Sequence, residues 1–306
     1  MEFDFSGKVA IVTGAGGGLG RSHALALAAR GARVVVNDPG TSVSGASDDA
    51  GPAAQVGAEI ERLGGEALVD RCDVTDAEGV QNMVATAVDT WGRVDILINN
   101  AGILRDRTFA KMDLADFRRV VDVHLWGAVH CTKAVWPHMV AQGYGRILMT
   151  SSASGIYGNF GQSNYGAAKA ALVGLTNVLA IEGERKGIRV NALAPTAATR
   201  MTDGLLDEAA VARLGPEAIS PGAVFLVSEQ APNGVILGAG AGVFAVSRMQ
   251  EARPVFLPEE DRTAETIAAR WDEISDLSVA HTLSSAFEQT NLYVELADRV
   301  SAVVQP

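Results

Sequence analysis

Cysteine is nearly absent: the 306-residue chain has two, Cys72 and Cys131, neither with metal-ligand spacing around it. So low a count excludes a disulfide scaffold and fits free thiols in a reducing compartment, packed as small apolar filler. Basic residues are also short, 25 Lys and Arg against 36 Asp and Glu, for a net charge of −11. A chain of that sign lacks the positive footprint needed for broad nucleic-acid binding or for an anionic membrane surface. No apolar run approaches the ~20 residues that span a bilayer. The start, MEFDFSGKVA, carries acids and no basic region ahead of an apolar stretch, so no secretory signal is expected. The end, SAVVQP, matches neither the peroxisomal nor the endoplasmic-reticulum address. These absences predict a soluble, cytoplasmic protein with no membrane span and no nucleic-acid partner.

What is present is apolar, 48% of residues, enough for one large α/β domain with a modest appendage. Residues 8–13 (KVAIVT) read as a strand, 19–30 as an Ala/Leu-rich helix closed by Gly31, and 33–37 (RVVVN) as a second strand. A helix over 53–63, a strand over 67–72, a helix over 76–91 and a strand over 94–98 follow. A long helix over 113–141, a strand over 145–150, a helix over 165–186 and a strand over 188–193 continue the alternation. The fold class predicted is α/β, a doubly wound parallel sheet of Rossmann type.

Between the first strand and helix stands TGAGGGLG. Gly14, Gly18 and Gly20 there let bare backbone approach a pyrophosphate, with helix N–H groups and the dipole facing the negative charge. The spacing departs from GxGxxG, and such a turn serves equally as a plain tight turn. Asp38, ending the second strand, supplies what the turn lacks. A carboxylate at that point accepts hydrogen bonds from the adenosine ribose hydroxyls and repels a 2′-phosphate, which favours NAD over NADP. Gly16 and Gly17 point the same way, standing where an NADP enzyme carries a phosphate-binding cation; the alternative for Asp38 is a loop cap. Asp73-Val74 and Asn99-Asn100-Ala101-Gly102 fall at later strand ends, where such sheets bind ligands. An Asn amide in the latter can also tie neighbouring strands. The segment 39–51, PGTSVSGASDDAG, is a loop longer than an α/β unit needs, either a cover for the adenosine end or an insertion.

The stretch SSASGIYGNFGQSNYGAAK, residues 151–169, carries the chemistry. A free tyrosine titrates near pH ~10, so Tyr165 can act as a base near neutrality only beside a cation. On a helix, Tyr165 and Lys169 are an i,i+4 pair on one face, close enough for the ammonium to lower the phenol's pKa. Ser152 lies across a Gly-rich loop that can turn its hydroxyl toward them. A hydroxyl donor, a tyrosinate and a lysine together suit removal of an alcohol proton while its carbon gives up a hydride, or the reverse. Hydride transfer requires a cofactor, because no side chain accepts hydride.

TGAGGGLG, Asp38, NNAG, Ser152 and the YGAAK holding Tyr165 and Lys169 occur in order on the predicted elements. Through them the chain resembles the short-chain dehydrogenase/reductase family over roughly residues 5–245. Within it, NAGILRDRTFAKM, RILMTSSASGIYGNFGQSNYGAAK, LAIEG and the TRMT near Met201 resemble the (3R)-hydroxyacyl-CoA dehydrogenase branch, here without a following hydratase-length sequence. The resemblance implies NAD, oxidation of a secondary alcohol, a (3R)-hydroxyacyl-CoA or steroid-type alcohol as substrate, and a homodimer or higher homo-oligomer. It implies no metal. It makes Tyr165 the general base, Ser152 rather than Ser151 the hydrogen-bond partner of the substrate oxygen, and Lys169 the group that lowers the tyrosine pKa and binds the nicotinamide ribose. Gly14, Gly18, Leu19 and Gly20 would line the pyrophosphate, Asp38 the adenosine ribose, Asp73 and Val74 the adenine, and Asn100 the nicotinamide side.

Two departures from the family pattern stand out. His124, in HLWG, replaces the Asn that in the family holds a proton-relay water; it serves as a substitute donor or as a satisfied structural histidine. Thr196 replaces the glycine usual after Pro195. Arg105, Arg107 and Lys111 after NNAG, with Arg200 beyond Pro195, are the cations available to a CoA phosphate, unless Arg105-Asp106-Arg107 is a self-paired surface run. Residues 248–306 exceed the minimal fold of 1–247 and form a helical C-terminal extension. Pro254 and Pro258 mark a linker there, Thr263 caps a helix to Ile274, and 283–300 is a second amphipathic stretch, packing on the domain or a partner subunit. Two other functions stay open, an NADPH-dependent 3-ketoacyl reductase and a non-catalytic cofactor-bound scaffold.

Overall fold

The computed structural model describes residues 3–40, 51–196 and 213–304, with side chains to residue 299. It divides into two compact units, Met1–Val246 and Ser247–Pro306.

In the first unit, Val9–Thr13 (β1) and Arg33–Asn37 (β2) are short runs rich in Val and Ile and buried almost throughout, as central strands covered on both faces must be. Gly18–Ala28 (α1) joins them. Pro52–Arg62 (α2), Ala67–Asp70 (β3), Ala77–Trp91 (α3) and Ile96–Asn99 (β4) follow. The α3 helix starts where the Asp76 side chain accepts from Glu78 N–H and stops at Gly92, which adopts φ 78°. Leu114–Val121 (α4), Gly127–Gln142 (α5), Gly145–Thr150 (β5), Ala153–Tyr157 (α6), Ser163–Glu184 (α7) and Ile188–Pro195 (β6) come next. Ser220–Leu226 (α8), Ile236–Gly240 (β7) and Val243–Ser247 (β8) complete the unit.

The eight strands order as β3-β2-β1-β4-β5-β6-β7-β8, parallel from β3 through β7, with β8 returning through the two-residue turn Ala241-Gly242. Strand order reverses between β1 and β4, where Val12 stands beside both Val36 and Ile98. Their C-terminal ends open the crevice in which such sheets bind ligands. Alternation along the strands feeds two cores. Val9, Ile11, Val35 and Leu97 pack under α3, α5 and α7, while Ala10, Val12, Val36 and Ile98 pack under α1, α2 and α8. No helix among the described residues is long and apolar enough to cross a membrane.

The helix predicted over 113–141 is not one α-helix. Between α4 and α5 lies a π-helical turn, Asp122–Trp126, in which Gly127 N–H reaches back to Asp122 O. Periodicity reads both sides as helical and is blind to one widened turn. The Gly-rich loop predicted after Ser152 contains the short α6, which Ser152 starts by accepting from Ser154 N–H at 3.2 Å.

In the second unit, Glu251–Ala252 (β9) pairs antiparallel with Ala280–His281 (β10). The stretch expected as one helix to Ile274 is two, Ala264–Ala269 (α9) and Trp271–Ile274 (α10), separated at Arg270. Thr263 does cap the first, its Oγ1 accepting from Thr266 N–H at 3.1 Å. Ala286–Val304 (α11) follows, joined to β9 where Tyr293 Oη and Gln289 Nε2 donate to the Glu251 carboxylate. None of this unit's described side chains is buried.

Of the loop 39–51, residues 41–50 lie outside the described residues, as do Arg200, Met201 and the remainder of the TRMT stretch.

Candidate active site

A cleft lies at the switch point. Gly14, Gly18, Leu19, Asp38, Asp73, Val74, Asn100, Tyr165 and Lys169 all line it. The turn that follows β1 passes so near β4 that only glycine fits at its first position. Gly14 holds φ 62°, and a Cβ there would meet Ala101 Cα at 2.8 Å. Gly20 is not among the residues that line the cleft; its missing side chain lets α1 pack directly on Gly14 O and the Asn100 amide. The Asn100 amide nitrogen donates to Thr13 O at 3.0 Å and Gly14 O at 3.1 Å, tying β4 to β1.

Asp38 closes the far end of the turn. Its Oδ2 accepts from Gly16 N–H at 3.0 Å and its Oδ1 from Gly40 N–H at 2.9 Å. A Cβ at Gly16 would sit 2.8 Å from that carboxylate, so the glycine-rich turn and the acid are built to one another. Backbone N–H groups at the start of α1 and a carboxylate at the end of β2 fit a dinucleotide, the first facing its pyrophosphate and the second its ribose. Asp73 is held by Arg119, whose guanidinium reaches Oδ2 at 2.8 Å and Thr75 Oγ1 at 3.3 Å. Burial opposes ionisation of Asp73, but the Thr75 N–H and the Arg119 guanidinium keep its carboxyl below the usual range. Arg119 also lines the cleft, and sequence reasoning missed it. The only sign was an arginine on α4 facing the cleft, which spacing by itself does not distinguish from a solvated one.

At the opposite end α7 presents Tyr165 and Lys169, with the lysine nitrogen 5.5 Å from the phenol ring centroid. Lys169 is buried and donates to Thr150 O. Burial pushes its pKa down to about 7. Tyr165 moves the other way from the sequence expectation. Burial raises its pKa, the Ser152 hydrogen bond lowers it, and the Asp106 charge raises it again. The i,i+4 geometry was legible; the desolvation that outweighs it was not. Ser152 is buried beside the phenol, outside the cleft lining proper.

His124 occupies the π turn and stands edge-on to the Tyr165 ring, centroids 5.2 Å apart. Its Nε2 lies 2.8 Å from Ile103 O and 3.1 Å from Ile103 N. Its Nδ1 is buried without a partner among the described residues. Burial and the nearby Lys169 charge push the imidazole pKa well down, so the ring is neutral at working pH. A Cβ at Gly102 would collide with the ring, so that glycine makes room for this histidine. A small second cavity is lined by Thr13, Asn99, His124 and Lys169, and Asn99 Oδ1 is likewise buried without a partner.

Of the cations expected near a CoA phosphate, Arg105 pairs with Asp116 of α4, not with Asp106. Arg107 and Lys111 have exposed side chains, and Arg200 lies outside the described residues.

The short chain dehydrogenase family profile matches residues 8–209. The chain is 44% identical over 301 residues to the peroxisomal multifunctional enzyme type 2 of Mus musculus, covering 97% of this chain and 40% of that protein. The structure of full-length peroxisomal multifunctional enzyme type 2 from Drosophila melanogaster superposes with a TM-score of 0.81 at 38% identity, over 97% of this chain and 50% of that one. A 7α-hydroxysteroid dehydrogenase complexed with NADH and 7-oxo glycochenodeoxycholic acid superposes with a TM-score of 0.70 at 34% identity, over 78% of this chain and 95% of that one. The chain thus spans half or less of the length of the two multifunctional enzymes.

Proposed function

The chain belongs to the short-chain dehydrogenase family, and from that premise we propose that it oxidises a (3R)-hydroxyacyl-CoA, or a steroid-type alcohol, with NAD. The observation that carries the reading is a cleft with Tyr165 and Lys169 at one end, Ser152 hydrogen-bonded to that phenol, and the glycine turn and Asp38 at the other end. The similarity to multifunctional enzyme type 2 supports the hydroxyacyl thioester, and the NADH-bound hydroxysteroid dehydrogenase supports the nicotinamide.

A bound oxidised nicotinamide would supply the hydride acceptor and a positive charge, with Gly14, Gly18, Asp38 and Lys169 among the residues that would hold it. The Ser152 hydroxyl donates to the substrate oxygen. Tyr165 Oη, as the phenolate that the Ser152 hydrogen bond favours and that the positive charge of a bound oxidised cofactor would favour further, takes the proton from that oxygen as the carbon gives up its hydride. Lys169 Nζ, with a pKa near neutrality, holds a proton that can be exchanged at working pH, and its hydrogen bond to Thr150 O fixes where that proton sits. Asp38 would face the ribose hydroxyls and repel a 2′-phosphate. The proposal includes a homodimer, supported by apolar side chains left exposed on two neighbouring elements of one face. Trp126 stands just before α5 and Val140 in its last turn, and Val178 and Ile181 stand three residues apart on α7.

The test is reduction of NAD and of NADP by purified protein over a panel of (3R)- and (3S)-hydroxyacyl-CoAs and hydroxysteroids. Oxidation of a (3R)-thioester with at least tenfold preference for NAD is expected. A tenfold preference for the phosphorylated cofactor would overturn the Asp38 reading, and a Tyr165→Phe protein as active as the parent would overturn the mechanism.

A further inference from the structure

The loop after β4 and the catalytic segment after β5 are stitched together. Arg107 N–H donates to Gly161 O at 2.9 Å, and Arg107 pairs with Gln162 as an isolated parallel bridge. The Gln162 amide is the hub. Its Nε2 donates to Asp106 Oδ2 at 2.7 Å, while its Oε1 accepts from Ser154 Oγ at 2.7 Å and from Asn159 Nδ2 at 3.1 Å. Gln162 stands three positions ahead of Tyr165, and Ser154 two positions after Ser152, so one amide fixes the flank of each. A second stitch runs alongside, from Asn164 Nδ2 to Arg105 O at 2.9 Å.

We propose that Asp106 and Gln162 are positioning residues for the dehydrogenase reaction: a latch that keeps Ser152 and Tyr165 in register and fixes a negative charge within electrostatic reach of the phenol. The inference rests on the function proposed above. It separates into two physical parts, an amide that sets geometry and a carboxylate that sets potential. The Asp106 charge acts on Tyr165 in the direction that favours the protonated phenol, alongside burial and against the Ser152 hydrogen bond. The other groups about the ring are the neutral His124 from the π turn and Lys169 one helical turn along α7; Arg119 from α4 lines the same cleft and is paired to Asp73. Neither latch residue is buried; Asp106 is exposed and Gln162 half-buried. Substitutions at either are therefore compatible with a folded chain.

The experiment compares Asp106→Asn, Asp106→Ala and Gln162→Ala with the parent, each first matched for thermal midpoint. An asparagine keeps an oxygen for Gln162 Nε2 and removes the charge. The Cζ carbon resonances of the four tyrosines, with Tyr165 assigned by Tyr165→Phe, report the phenol titration without any substrate. For Asp106→Asn the expected result is a downward move of the Tyr165 titration and of the acid limb of kcat/KM together, with the plateau kcat retained. Asp106→Ala and Gln162→Ala should lose about tenfold or more in plateau kcat with a smaller change in KM, the mark of a misplaced reacting group. An unmoved Tyr165 resonance in Asp106→Asn overturns the electrostatic part, and full plateau kcat in both alanine variants overturns the latch. If no alcohol on the panel is oxidised by the parent, the function falls while the titration still decides the electrostatic part.

Discussion

Lys169 is 3% exposed, and a backbone carbonyl stands where a carboxylate would normally be. A fall from 10.5 to about 7 in its pKa corresponds to roughly 4–5 kcal/mol of penalty on the ammonium in the native state. The lysine therefore opposes folding while serving the site. Replacing it with methionine removes that penalty and leaves Thr150 O without its donor, which costs about 1–3 kcal/mol. The expected outcome for Lys169→Met is loss of alcohol oxidation together with a gain in urea stability of about 1–4 kcal/mol at pH 6. The sign fixes the pH window. Below pH 7 the native amine is charged and the penalty is full, and it fades as pH rises toward 10.5. Equal stability of the two proteins at pH 6 would count against the buried charge. At this scale the sequence showed which side chains meet, because i,i+4 spacing is geometry. It did not show which way their pKa values move, because burial is set by β5, α6 and the π turn together. Arg105 illustrates the same limit, since its partner Asp116 is eleven residues away, beyond any local pattern.

Elements whose residues alternate or recur with a clear period were legible, and short or irregular ones were not. β1 through β6 and α1 through α3 fall within one or two residues of their predicted bounds. The seven-residue α8 and the five-residue β7 and β8 carried too little pattern to be read. Yet α8 holds a contact that matters to stability. His23 of α1 is fully buried, with Nδ1 2.8 Å from Ser220 Oγ, and that hydroxyl is itself 2.7 Å from Ser22 Oγ. Burial pushes the His23 pKa down to about 4. Between pH 6.5 and 4 the unfolded chain takes up a proton at this position that the folded chain refuses. Stability is therefore whole above pH 6.5 and falls as the pH drops toward 4, by roughly 3 kcal/mol from this residue alone. His23→Asn keeps a polar partner for Ser220 and removes the titration. Urea unfolding at pH 7 and pH 4.5 should show a smaller difference for the variant than for the parent. An unchanged difference would place the acid sensitivity elsewhere, His124 being the next buried imidazole.

Across the whole molecule the two units are built on different terms. The first has a sheet with packed side chains on both faces, and every residue of the two apolar clusters belongs to it. That architecture was legible, since strictly alternating strands and helices admit few other arrangements. The second unit was visible only as helical pattern, and its two-residue strands left no trace in the sequence. Its lack of any buried described side chain has a thermal consequence. A globular chain takes up about 0.7 kcal/mol per residue on melting near 60 °C, largely because a packed interior is being opened to water. Among the described residues of this unit no side chain is buried, so it has little such interior to open. A scanning calorimeter should accordingly record a melting enthalpy proportionate to the first 246 residues and not to all 306, with the remainder contributing slope but no peak.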